Sequence, residues 1–181
     1  MEQKFDFSDI TLVPEIISRI NSRKNIIPLD EYGMLPLFTA PMDTVIDRYN
    51  YTKFKKVGIN VCTPRHQPVW DTDCFESMSL DDFEIFLKAY KTKYYKSNSK
   101  KRILIDVANG HMERLYTLSK TFCELRYSNL HQIMIGNIAN PKTYEKYAQI
   151  GVDFIRVGIG GGSACLTSAN TGIHYPMASL I

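Results

Sequence analysis

No run of about 18 or more uncharged apolar residues occurs in this chain, so a membrane span is not expected. Cysteine is scarce. The four present, Cys62, Cys74, Cys123 and Cys165, show none of the paired spacings of a metal knuckle. The opening Met1-Glu2-Gln3-Lys4 does not lead into an apolar signal segment, so reduced thiols in a cytoplasmic protein are the expectation. A charge excess is also missing. Against 19 acidic residues stand 22 basic ones, and a net charge of +3 argues against a nucleic-acid groove while remaining compatible with a small phosphorylated ligand.

What is present is core material. With 44% hydrophobic residues, nine Phe and eleven Tyr in 181 positions, the chain can bury one core, and residues 1–181 read as one domain. Short apolar runs at 36–40 and 57–62 read as buried strands, with a crossover helix expected over 47–56 from Tyr51 and Phe54. Phe83, Phe86, Leu87 and Tyr90 recur at helical spacing after Ser79, which with Asp82 resembles a capping box. The basic stretch 91–102 reads as a solvated loop, with a basic binding segment as the alternative.

Next come a strand at 103–106, a helix with Leu115, Leu118, Phe122 and Leu125 on one face, and a strand at 131–135. Asn140 as N-cap, Pro141 at the first helical position and Gly151 past the end bracket a helix, with Tyr144, Tyr147 and Ala148 expected inward. A final strand at 153–157 runs into Gly158-Ile159-Gly160-Gly161-Gly162-Ser163-Ala164-Cys165. Strand alternating with helix implies parallel strands joined by helical crossovers. Polar residues just past the strand ends would then share the face that carries chemistry in a (β/α)8 barrel.

Cys165, in a loop rich in backbone N–H groups and followed by Thr167, reads as an activated nucleophile or as one more small buried residue. Glycine-rich loops also bind phosphates or cations without covalent chemistry. The four histidines have no ligand-like spacing and receive no role.

The stretch from Gly158 through Cys165-Leu166-Thr167 resembles the catalytic-cysteine loop of the IMP dehydrogenase/GMP reductase family, G-x-G-x-G-S-x-C-x-T. Four more stretches agree in order: Phe5-Asp6-Phe7-Ser8-Asp9-Ile10-Thr11-Leu12-Val13-Pro14, Ala40-Pro41-Met42-Asp43-Thr44-Val45, Gly136-Asn137-Ile138 and Thr171-Gly172-Ile173-His174-Tyr175-Pro176. Asp106-Val107-Ala108-Asn109-Gly110 is similar to the D-V-A-N-G of GMP reductases, and no inserted regulatory domain is seen. The resemblance implies an NADPH-dependent oxidoreductase that deaminates GMP reductively to IMP and ammonia through a covalent thioimidate on Cys165, with Thr167 relaying a proton. It implies cofactor contacts at Ser22, Arg23, Arg65, Asp106, Val107, Ala108, Ile159 and Gly160. Purine contacts are implied at Asp43, Asn137 and Ser163, and a potassium ion on the carbonyls of Gly160, Gly162 and Cys165, although Ser168 stands where the family has an Arg.

Strands beginning near Pro36, Val57, Cys74, Ile103, His131 and Asp153 make six, so the resemblance implies an incomplete TIM barrel, lacking two of eight strands and inactive until they are supplied. A homo-oligomer or a complementing C-terminal fragment is the expected partner. IMP dehydrogenase, oxidising IMP to XMP with NAD, and a non-catalytic nucleotide-binding fragment are the competing readings.

Overall fold

The computed structural model describes residues 3–30, 33–68, 70–93, 99–126, 130–160 and 166–181. Four parallel strands, β1 (Glu76–Met78), β2 (Lys101–Asp106), β3 (His131–Ile138) and β4 (Phe154–Val157), lie side by side in chain order. Ahead of them, Phe38 bridges Asn60 and Cys62 bridges Phe75, both in parallel sense. Six strand segments therefore follow one another in sequence order, the progression of an incomplete (β/α)8 barrel.

Helices α2 (Leu80–Lys93), α3 (Glu113–Leu125) and α4 (Pro141–Gln149) cover the outside, after a short α1 (Tyr51–Lys56); α5 (Leu166–Thr171) and α6 (Met177–Leu180) follow β4. None of them is long and apolar enough to cross a membrane.

Parallel strands covered on both faces need apolar residues at successive positions, and Ile103-Leu104-Ile105 supplies them. Ile103 and Ile105 point to the helices, joining Phe83, Leu87, Tyr90, Phe122, Ile133 and Ile135 in the main core. Leu104 points the other way, to Cys62, Phe75 and Met134 in the barrel interior. Each large side chain fully buried in this way contributes about 1.5–3 kcal/mol. The start of α2 is set by reciprocal bonds: Asp82 N donates to Ser79 Oγ at 3.1 Å, and Ser79 N donates to Asp82 Oδ2 at 3.4 Å. A short aspartate here does what the usual glutamate does in a capping box.

Four expectations change. Residues 36–40 and 57–62 form single bridges, because hydroxyls take over ladder positions: Cys62 N donates to Thr39 Oγ1 at 2.9 Å, and Ser77 N to Thr63 Oγ1 at 3.4 Å. The helix expected over 47–56 begins only at Tyr51, since Asp47 and Asn50 side chains cap the preceding turn instead. The basic stretch 91–102 is no single loop: α2 runs to Lys93 and β2 starts at Lys101. There Lys101 pairs with Glu76, and the Arg102 guanidinium stacks over Phe75 at 4.4 Å inside the barrel. On α4 only Tyr147 is buried, while Tyr144 is 48% exposed and Ala148 is also exposed. One helix turn places Thr143, Tyr147 and Ile150 towards the sheet, and Tyr144 lies about 100° away.

Candidate active-site cleft

Past the C-terminal ends of β2, β3 and β4 the backbone opens into a cleft of ≈ 640 Å³. Asp106, the last residue of β2, forms its wall with Val107 and Ala108; Asn137 enters from β3, and Gly158, Ile159 and Gly160 follow β4. Arg65 and Met42 close it from the earlier loops. Every strand that contributes does so from the same end, as parallel pairing requires.

Charge in the cleft is organised around one carboxylate. Arg156 donates from Nη1 to Asp106 Oδ1 at 2.6 Å, and Arg65 Nε lies 3.7 Å from Asp106 Oδ2. Both ends of the Arg156–Asp106 pair are largely shielded, with side chains 30% and 22% exposed. Among the described residues the Nε and Nη2 of Arg156 have no partner, which leaves a forked donor on the cleft wall for ligand oxygens. Asn137 donates through Nδ2 to the Gly158 carbonyl at 2.8 Å, keeping its Oδ1 for a ligand donor.

The glycine at 160 is required twice. Its φ is +82°, and a Cβ there would come within 2.7 Å of Ser168 Cβ. This brings the loop after β4 down onto α5 and the segment beyond it, where His174 Nδ1 lies 3.1 Å from the Gly160 carbonyl.

The expected residues divide into three groups. Arg65, Asp106, Val107, Ala108, Asn137, Ile159 and Gly160 meet in the cleft. Ser22 and Arg23 do not line it; Ser22 caps a 3₁₀ turn at Arg23–Asn25 by accepting from Lys24 N. Asp43, next to Met42 in the chain, does not line the cleft either, and accepts from Gln67 Nε2 at 3.5 Å. Cys165, Ser163 and Gly162 lie outside the described residues, and Thr167 falls on α5.

Arg156 was not among the expected site residues. Its signal was available: a charge at an interior position of an otherwise apolar strand, directly ahead of a glycine-rich loop, is costly to bury without a partner. The partner, Asp106, is 50 residues earlier. Of the remaining thiols, burial pushes Cys62 up to about 12 and Cys74 and Cys123 up to about 11, so none of these three offers a thiolate near neutral pH.

Residues 91–181 match the family model described as the IMP dehydrogenase / GMP reductase domain. The chain belongs to this family. It is similar to GMP reductase 2 of Mus musculus, at 28% identity over 204 residues, covering 98% of this chain and 56% of the relative. GMP reductase of Buchnera aphidicola subsp. Baizongia pistaciae is 30% identical over 178 residues, covering 97% of this chain and 45% of the relative. Among solved structures, inosine 5'-monophosphate dehydrogenase from Legionella pneumophila superposes with a TM-score of 0.69 at 27% identity, over 97% of this chain and 57% of that one. The chain spans about half the length of the curated relatives it matches. Its β4-to-α5 segment, with the IMP dehydrogenase/GMP reductase glycine loop, lies wholly within the matched residues.

Proposed function

We propose that this chain carries the nucleophile and the nicotinamide-facing half of a GMP reductase-type active site. The observation that carries the reading is the Asp106–Arg156 pair with Asn137 beside it, on one wall of a cleft that ends at Gly158 and Gly160, the start of the cysteine loop.

Cys165 is the thiol left for the chemistry once burial has removed the other three. In this reading its thiolate attacks C2 of the guanine ring and the 2-amino group leaves as ammonia, with the Thr167 hydroxyl passing the proton that the leaving amine needs. A thioimidate between Cys165 and C2 results. NADPH, when bound, supplies the hydride that reduces C2, after which the thiolate leaves and IMP is released. Asp106 accepts from sugar hydroxyls, and the free fork of Arg156 and the guanidinium of Arg65 bind carboxamide or phosphate oxygens; these groups fit a dinucleotide by donor and acceptor type. Ser22 and Arg23 would serve the same cofactor only if brought to the cleft by a second chain. For potassium, Gly160 is the described member of the expected carbonyl set, and its oxygen already faces His174. No step here depends on that ion.

A second reading, NAD-dependent oxidation of IMP to XMP, is favoured by the Legionella pneumophila neighbour. A third keeps nucleotide binding without turnover.

The deciding experiment follows NADPH absorbance with GMP, using this chain alone and then with a polypeptide supplying the last two barrel strands. Turnover that disappears in Cys165→Ala supports the GMP reductase reading. NADH formation from IMP and NAD selects the second. GMP binding by calorimetry with no turnover under any of these conditions leaves the third.

A further inference from the structure

His111 follows the Asp106-to-Gly110 run and precedes α3 by two residues. Its ring holds a position that only one protonation state satisfies. Ala139 N lies 2.9 Å from Nε2, and a backbone amide can only donate, so Nε2 carries a lone pair. The single ring proton of a neutral imidazole is then on Nδ1, which donates to Thr143 Oγ1 on α4 at 3.0 Å. An imidazolium would set an Nε2–H against the Ala139 N–H. Partial desolvation holds the ring below the ordinary histidine range; the ring meets Ala139 after β3 and Thr143 on α4, while the His111 backbone N–H donates to Asn109 Oδ1 in its own loop, and none of these partners is charged.

The segment that His111 grips is the one that sets the glycine loop. Asn137 Nδ2 and Ile138 O hold Gly158 by bonds of 2.8 and 2.7 Å, and Gly110 N donates to Asn137 O at 2.8 Å. The loops press so closely that a Cβ on Gly110 would lie 2.7 Å from Asn137 O. Ala139 is the next link along, and its N–H is held by the histidine.

We propose that His111 is a positioning residue which, as the neutral Nδ1–H tautomer, fixes residues 137–139 and through them the take-off of the loop leading to Cys165. Losing the ring nitrogens or protonating the ring frees the Ala139 amide and loosens Asn137 and Gly158. The consequence for catalysis rests on the GMP reductase reading; the tautomer and the loop order do not.

The test separates the two. Long-range ¹H–¹⁵N correlation on the chain should show Nδ1 protonated and Nε2 bare at pH 7.5. Amide hydrogen exchange at Ala139 and Gly158 should quicken by about tenfold in His111→Phe, which keeps a ring and loses both nitrogens, and stay near wild type in His111→Gln, which keeps an acceptor. The same two amides should lose protection in the wild type only as pH falls below the ordinary histidine range. An Nε2–H tautomer, or exchange in His111→Phe equal to wild type, overturns the proposal. If His111→Phe does not fold, the wild-type tautomer and pH dependence still decide. Absence of GMP turnover would sink the catalytic reading and leave these spectra unchanged.

Discussion

Two regions of this molecule use the same kinds of residue to opposite ends. Between residues 12 and 27, Leu12 and Val13 are each 89% exposed, Ile16 is 96% exposed, and Ile17 and Ile27 are above 80%. Between β1 and β4, Phe83, Ile103, Phe122, Ile133 and Ile135 are wholly buried. Hydrophobicity per residue does not separate them. What separates them is pairing: the second region has helices with one apolar stripe and strands hydrogen-bonded to their neighbours, whereas the first has turns such as Arg23–Asn25 and no strand among its described residues. The main core of this molecule forms where regular backbone pairing aligns its apolar content.

The sharpest way to break that contrast is Phe122→Ala. The ring contacts Phe83, Phe86 and Tyr90, and its loss should cost about 4 kcal/mol in a urea titration. A cost near that of a surface change would mean that the central core is not packed as described.

Arg126→Ala should come next, at about 3 kcal/mol. Its side chain is 5% exposed; it pairs with both Asp153 oxygens and donates to the carbonyls of His131 at 2.8 Å and Gly151 at 2.5 Å. Asp153 Oδ2 also accepts from Ile133 N, so the loss strands a half-shielded carboxylate between β3 and β4. Unfolding at the wild-type midpoint would sink this account.

A pH effect of intermediate size is expected from His131, 1% exposed, which faces Tyr90 Oη at 2.6 Å through Nδ1 and the Ser99 carbonyl at 3.0 Å through Nε2. Burial is the main cause of its lowered pKa. Because the folded value lies below the unfolded one, the unfolded chain takes up the proton first as pH drops. Stability is therefore whole above the unfolded value of about 6.5 and declines below it, by at most about 1.4 kcal/mol per pH unit for this one group. His131→Gln should flatten that part of the stability profile, and an unchanged slope would assign it elsewhere.

The smallest change belongs to the other region: Ile16→Ser should shift stability by less than about 0.5 kcal/mol. A larger loss would show that residues 12–27 are covered in solution after all.

Much of the central region was legible from residue spacing. The stripe Phe83-Leu87-Tyr90 and the Asn140-Pro141 cap are local facts, set by helical period and by bonds within a few residues, and both stand in the structure. Tyr144 escaped this logic because two faces of α4 carry tyrosine and only the packing partner selects one. The early strands escaped it too. An apolar run signals burial, but whether neighbouring backbones make a ladder depended on Thr39 and Thr63 placing hydroxyls between them.

For the cleft, the sequence by itself determined the order of strand and helix, the family through its glycine–cysteine loop, and so which strand ends carry polar residues. Tertiary structure decided which of those residues meet. Arg156 and Asp106, 50 positions apart, become an ion pair only when β3 sets β2 and β4 on its two sides, and His111 finds Ala139 only across the same junction. Such pairs are held by long-range geometry rather than by chain neighbours, so a local pattern can mark the charge inside a strand but not name its partner.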